Sequence, residues 1–215
     1  MKQISLYEFG GDEAVLHRMQ APWASYFRGL APVLDIGCGR GIFLQILAAA
    51  GVEAIGLDHS EEAVSFCRQK GFQVRKETAH NFLAKTELKF GGIFCSHVIE
   101  HLAYDQALEL ITLCNGALQP GGVLLLVTPN PQDLAVISEV FWLDPTHVRP
   151  YPAPLLRSML QSAGFSISLE KRFLGDWRLV GRRHLPAYFL RRLLLGRYYG
   201  KPNTLILAKT RRPPS

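Results

Sequence analysis

The stretch Val33-Leu34-Asp35-Ile36-Gly37-Cys38-Gly39-Arg40-Gly41 runs from an apolar β-type segment into three glycines, each separated by one residue. Glycines at such a point let the backbone turn sharply and approach a ligand closely. The spacing departs from the dinucleotide fingerprint G-x-G-x-x-G, whose third glycine would fall at Ile42. Asp35, two residues before the first glycine, would repel a pyrophosphate and suit a cationic ligand such as a sulfonium amino acid.

Working outward, residues 32–36 read as a buried strand and 40–50 as a helix stopped by Gly51. Residues 53–58 read as a second strand. Ser60, followed by Glu61 and Glu62, reads as the cap of a helix ending near Lys70. Strands three and four fall at 72–76 and 92–96, and a helix at about 105–118 leads through the turn 119–122 into strand five at 123–128. A helix near 153–163 and strands at 165–169 and 204–209 complete the pattern. Continuous apolar strands alternating with helices imply a parallel sheet covered on both faces. The connections 129–150 and 174–202 are longer than usual, and long connections are commonly functional.

Composition agrees with a folded chain. Of 215 residues, 48% are apolar and 20% charged, so disordered and low-complexity classes are excluded. Cys38, Cys67, Cys95 and Cys114 are scattered without a C-x-x-C pair and read as reduced thiols of a cytoplasmic protein. No leader-like or membrane-spanning stretch is expected. The net charge of +6 is uneven: residues 171–215 carry 12 Lys and Arg against one acid, Asp176, and the remainder is mildly acidic. That body argues against a nucleic-acid-coating protein.

The segment 33–41 resembles motif I of the class I S-adenosylmethionine-dependent methyltransferases. The resemblance continues at Asp58, which ends strand two, at residues 91–102 around strand four, and at Leu118-Gln119-Pro120-Gly121-Gly122 before strand five. Residues 204–209 are similar to the reversed last strand of that fold. The expected architecture is therefore α/β: a single Rossmann-like, seven-stranded methyltransferase domain over 1–215. It has an N-terminal helical cap (1–30), a core (31–173), a basic helical insertion between the last two strands (174–202) and the final strand (203–210). The resemblance implies S-adenosylmethionine as cofactor. Asp35, Gly37, Cys38 and Gly39 would shape the methionine end, and Asp58 would bind the ribose with His59 beside it. Ser96, and Thr78, Ala79 or His80 near the adenine, would complete the site. Thr78 stands where the family often has an acid.

The segment Ser96-His97-Val98-Ile99-Glu100-His101-Leu102 carries groups suited to acid–base or metal chemistry. If helical, it places His97, Glu100 and His101 on one face. His147, in Leu143-Asp144-Pro145-Thr146-His147-Val148-Arg149-Pro150, belongs to the long connection after strand five, at the end of the sheet where ligands bind. His97, His101 and His147 are the catalytic candidates. Residues 98–101 resemble a stretch of small-RNA 2′-O-methyltransferases and are similar to the Glu-His stretch of ubiquinone-biosynthesis O-methyltransferases. The first resemblance implies a divalent metal on Glu100, His101 and His147. His97 stands where that family has a further Glu, and imidazoles suit zinc, nickel or iron better than magnesium. The alternatives are a metal-free histidine base, with Glu100 and His101 paired at a helix start, and purely structural histidines. Asp144 is a candidate orienter of an imidazole. Arg149 would bind an anionic acceptor or pair with Asp144.

Residues 144–150 resemble a segment of bacterial methyltransferases of surface-glycan pathways, which implies a sugar hydroxyl as acceptor. The expected reaction is O-methylation of a small-molecule or glycan-derived acceptor. The alternatives are a membrane-associated phenol or quinone-type O-methyltransferase and a non-catalytic cofactor-binding domain. Thr128-Pro129-Asn130-Pro131 superficially resembles the Asn-Pro-Pro-Tyr motif of amino-group methyltransferases, but it follows strand five rather than strand four. In the insertion, residues 186–195 place Phe189, Leu190, Leu193 and Leu194 on one helical face and Arg191 and Arg192 on the other. Such a helix, with residues 182–197 as its basic surround, would pack on the domain, cover the active site, form a dimer interface, lie on an anionic membrane or, least expected, bind nucleic acid. Trp23, Tyr26 and Phe27 read as core or as part of a lid. Oligomeric state is left open.

Overall fold

The computed structural model describes residues 13–173 and 185–210. Helix α1 (Glu13–Gln20) and a 3-10 turn (Ala21–Phe27) precede β1 (Val33–Ile36), α2 (Ile42–Ala49), β2 (Ala54–Asp58), α3 (Glu61–Gln69) and β3 (Val74–Lys76). Then come α4 (Ala79–Lys85), β4 (Phe90–Ser96), α5 (Tyr104–Ala117), β5 (Leu118–Pro129), α6 (Leu134–Ser138) and α7 (Ala153–Ser162). The chain closes with β6 (Phe165–Phe173), α8 (Leu185–Leu195) and β7 (Asn203–Thr210). The seven strands form one sheet in the order β3-β2-β1-β4-β5-β7-β6. Strands β1 to β5 are parallel, and β7 runs antiparallel to both neighbours, as the sequence reading expects.

Alternation along the central strands divides the core between the two faces. Ile93 and Cys95 of β4, with Leu124 and Leu126 of β5, face a core closed by Phe82, Leu110, Ile111 and Leu156. Phe94 of β4, with Val123, Leu125 and Val127 of β5, faces the opposite core with Trp23, Phe27, Phe43 and Leu47. Phe94 stacks on Phe43 with centroids 3.9 Å apart. Trp23 and Phe27 are therefore core rather than lid. A side chain the size of Phe27, fully buried, contributes about 1.5–3 kcal/mol. A Cβ at Gly92 would stand 2.5 Å from the Phe27 ring, so that position requires glycine.

Three expectations change. Helix α4, unmarked in the sequence reading, starts where the Thr78 hydroxyl accepts the Asn81 N–H at 3.3 Å. It is too short, with only Phe82 and Leu83 buried, to show a helical period. Strands β6 and β5 run beyond the apolar stretches at 165–169 and 123–128, because ladder pairing to β7 and β4 continues past them. Segment 97–101 is not a helix with three side chains on one face: only Ile99–His101 forms a 3-10 turn, entered through His97 at φ +54°. Residues 1–12 of the expected cap, 174–184 of the insertion with Arg182 and Arg183, and 211–215 lie outside the described residues.

Candidate active site

The chain folds β1-β2-β3 toward one edge and returns through β4 toward the other, so the sheet switches direction between β1 and β4. Open α/β sheets bind ligands beyond the carboxyl ends of the strands at such a switch. The glycine loop sits there. Gly37, Gly39 and Gly41 all have positive φ. A Cβ at Gly37 would reach within 2.5 Å of Val98, so the loop packs directly on the turn after β4. A Cβ at Gly39 would meet nothing within 4 Å, which leaves an open cradle.

Asp58 fixes that cradle. Its Oδ2 accepts the Gly39 N–H and its Oδ1 accepts the Ser60 N–H, each at 2.9 Å. Ser60 caps α3 as expected, accepting the Ala63 N–H. The Gly37 and Cys38 N–H groups donate to the Leu57 carbonyl, and the Cys67 thiol donates to the Gly39 carbonyl at 3.2 Å. Asp35 is buried, and its Oδ2 has no hydrogen-bond partner among the described residues. Burial foremost, with Cys67 and Asp58 close by, pushes its carboxyl well above the usual carboxylate range. An unsatisfied buried carboxyl beside an open glycine cradle, with a second carboxylate at the end of β2, fits a cationic nucleoside and disfavours a pyrophosphate.

The other candidates near the crevice are more occupied. Cys38 is buried, His59 is exposed with Nδ1 3.7 Å from Asp58 Oδ1, and Ser96 ends β4 half-buried. Thr78 spends its hydroxyl on the α4 cap, and His80 Nε2 lies 2.8 Å from the Gln106 carbonyl. Ala79 opens α4, where it packs against the core.

The turn after β4 gathers the acid–base groups. The His97 N–H donates to the Val127 carbonyl at 2.9 Å, and its positive φ turns the side chain toward Glu100. His97 Nδ1 stands 3.1 Å from Glu100 Oε1, and Thr128 Oγ1 donates to Glu100 Oε2 at 3.1 Å. The Glu100 side chain is fully buried, whereas His97 is 48% exposed. Burial pulls the His97 pKa down, and the hydrogen bond and charge of Glu100 more than offset this, so it lies above its ordinary value. Burial raises Glu100, and the contacts and charges of His97, with His101, bring it below its ordinary value.

His101 and His147 form a second pair, with ring centroids 4.7 Å apart. Thr146 Oγ1 donates to Asp144 Oδ1 at 2.6 Å, so toward His101 Nδ1, at 2.9 Å, that oxygen is the acceptor. His147 Nδ1 donates to the Phe141 carbonyl at 2.6 Å, and its ring stacks on Phe141. Both imidazoles are thereby held with Nε2 as the acceptor nitrogen. Glu100, His101 and His147 each offer a ligand atom, and these atoms lie within 4.8 Å of one another.

Two expected pairings are corrected. Glu100 pairs with His97 and Thr128 rather than with His101, because the three residues per turn of a 3-10 turn separate neighbouring side chains. Arg149 lies over the Tyr151 and Tyr104 rings, at 5.2 and 5.9 Å, and Asp144 is taken by Thr146. Asp144 Oδ2 is 3.9 Å from His147 Nε2, beyond hydrogen-bond distance, and it is the Phe141 carbonyl that holds the His147 ring. The sequence reading missed Thr128, Thr146 and the Phe141 carbonyl. A threonine ending the apolar run of β5 was the one visible signal among them.

These features define a Rossmann-like domain built to hold a cationic nucleoside beside a cluster of histidines. A methyltransferase-domain family model matches residues 14–170. The chain belongs to that family, the class I S-adenosylmethionine-dependent methyltransferases, whose cofactor is S-adenosylmethionine. A Mycolicibacterium smegmatis protein named "Probable S-adenosylmethionine-dependent methyltransferase" is 34% identical over 63% of this chain and 52% of its own length. A ubiquinone biosynthesis O-methyltransferase of Aromatoleum aromaticum is 32% identical over 54% of this chain and 52% of its own length. The chain thus spans about half the length of the curated relatives it matches. The crystal structure of a SAM-dependent methyltransferase from Archaeoglobus fulgidus is 29% identical, covering 94% of this chain and 96% of that one, with a TM-score of 0.82.

Proposed function

We propose that this protein transfers the methyl group of S-adenosylmethionine to a hydroxyl of a small-molecule or glycan-derived acceptor, with His97 as general base and Glu100 orienting it. The observation that carries the reading is the His97–Glu100 contact at the end of β4, beside the glycine loop. The bound cofactor supplies a methyl group already activated by its sulfonium charge. Asp58 holds the ribose, Asp35 faces the cationic end, and Gly37 and Gly39 admit the ligand to the backbone. Glu100 keeps the His97 Nδ1–H in place, so that Nε2 takes the hydroxyl proton as the acceptor oxygen is aligned. Such a base contributes typically about 10²–10⁴-fold, and alignment up to about 7–11 kcal/mol of barrier. The relatives named O-methyltransferases support oxygen as the acceptor atom. A pair of this kind also disfavours a binding-only role, which has no need of a buried acid aimed at an imidazole. The test is a metabolite screen with a labelled methyl donor: a product carrying the label on oxygen, as a methoxy group, is expected, and label only on nitrogen or carbon would overturn the reading.

A second reading rests on the Glu100, His101 and His147 cluster. Two imidazoles held with Nε2 free and one carboxylate suit zinc, nickel or iron. These residues would hold the ion, and it would polarise the acceptor hydroxyl. Exhaustive chelation separates the two: activity that survives supports His97 alone, and activity lost and restored by one of these ions supports the metal. The single sheet supports reading 1–215 as one methyltransferase domain, and four buried thiols without a disulfide support a reducing, cytoplasmic setting.

A further inference from the structure

The two long connections leave the sheet at the same end. Pro129 of β5 and Phe173 of β6 both pair with Asn203 of β7, so the 130–150 connection leaves the sheet beside the point where the second connection returns to it. They are tied together there: the Asn130 N–H donates to the Pro202 carbonyl at 2.7 Å, and the Lys201 N–H donates to Asp133 Oδ2 at 2.7 Å. His97, bonded to the Val127 carbonyl, stands at this same end. Both connections expose large apolar side chains: Trp142 and Leu143 on one, and Phe189, Leu190, Leu193 and Leu194 on α8. Leu193 and Leu194 are 81% and 73% exposed, so the expectation that this face packs on the domain is not met among the described residues.

Charge selects among the occupants of this face. Residues 182–202 contain six Lys and Arg and no acid. A second copy would bring two such segments together and pay their repulsion, and nucleic acid would leave the leucines without a partner. No described helix is long and apolar enough to cross a membrane. A short helix with an apolar face and basic flanks, together with an exposed tryptophan on the other connection, matches the interface of a bilayer with anionic headgroups.

We propose that α8 and the exposed apolar residues of the 130–150 connection dock the protein on an anionic phospholipid surface, with the end of the sheet that carries His97 toward the lipid. The inference goes beyond the methyl-transfer reading and stands whether or not His97 is the base. Flotation of the full chain with phosphatidylcholine vesicles, with and without about a third phosphatidylglycerol, tests it. The wild type is expected to float with the anionic vesicles only, and less at high salt. Leu193→Glu with Leu194→Glu is expected to lower the partition constant at least about tenfold while keeping the S-adenosylmethionine affinity of the wild type. Arg191→Glu is expected to lower it several-fold. Three results would overturn the proposal: wild type left in the bottom fraction, a double variant that floats like wild type, or light scattering that finds a dimer made monomeric by the double variant without vesicle binding. Failure to bind S-adenosylmethionine by the wild type would bear on the cofactor reading alone.

Discussion

His97 Nδ1 lies 3.1 Å from Oε1 of a Glu100 side chain that is fully buried, and the other Glu100 oxygen accepts the Thr128 hydroxyl. A buried carboxylate held this way is a fixed negative charge behind an imidazole that remains half-exposed. It sets both the ring's orientation and its proton affinity. Substituting His97→Gln should lower kcat by about 10²–10⁴-fold, with little change in cofactor affinity. Glu100 holds His97 above its ordinary pKa. The base must be neutral to act, so activity should rise with pH through that raised value. Glu100→Gln should move the acidic limb of the kcat profile to lower pH and reduce the plateau. An unmoved limb would mean that His97 is not the base.

The same pair makes stability depend on pH in a defined direction. His97 is raised, so its contribution is complete below its unfolded value and is lost as pH rises through the folded one. Glu100 is lowered, so its contribution is present above its unfolded value and is lost as pH falls through the folded one. Thermal melts should therefore show the largest gap between wild type and His97→Gln between about pH 4.3 and 6.5, narrowing on either side.

Asp58 holds two backbone N–H groups and stands at the predicted ribose position. Asp58→Ala should lower S-adenosylmethionine affinity by at least about tenfold in calorimetry. It should also cost about 1–3 kcal/mol of stability, because the Gly39 and Ser60 donors lose their acceptor. Stability lost with affinity intact would make Asp58 a brace for the loop and nothing more.

Asp35 has the opposite linkage. Its carboxyl is raised by burial and by neighbouring negative charge, so ionising it in the free protein costs stability as pH climbs above its unfolded value. Relative to Asp35→Asn, the free wild type should lose thermal stability across that rise. A cationic ligand supplies the missing counter-charge, so wild-type affinity should increase with pH over the same range, by about tenfold for each pKa unit recovered. The affinity of the Asn variant should be flat, and parallel pH curves for the two proteins would refute the assignment.

How much of this was legible in the sequence follows from what each feature depends on. The glycine spacing, the acid at the end of β2, the Ser60 cap and the alternation of apolar strands with helices are local, and each is read from a few neighbouring residues. The extra length of β6 was not legible: Lys171 and Arg172 carry no apolar signal, and their strand geometry comes from pairing with β7. The active-site partnerships were legible only as a list of candidates. His97, Glu100, His101 and His147 were all marked, yet local periodicity put the first three on one helical face. The structure separates them into a His97–Glu100 pair and a His101–Thr146 contact.

The sequence by itself determined an α/β chain of alternating strands and helices with a glycine loop beside an acid, because backbone turns and binary patterning are written in adjacent residues; the seven-stranded methyltransferase fold and S-adenosylmethionine as cofactor followed from the family resemblance those residues carry. Only the tertiary structure decided which imidazole meets which acid. The partners that settle it, the Thr128 hydroxyl donating to Glu100 and the Thr146 oxygen accepting from His101, come from segments 28 and 45 residues away and reach those groups only when β4, β5 and the following connection are packed side by side. The exposed face of α8 belongs to the same category: its leucines are apolar in any reading, and whether a helix buries such a face depends on what the rest of the fold brings against it.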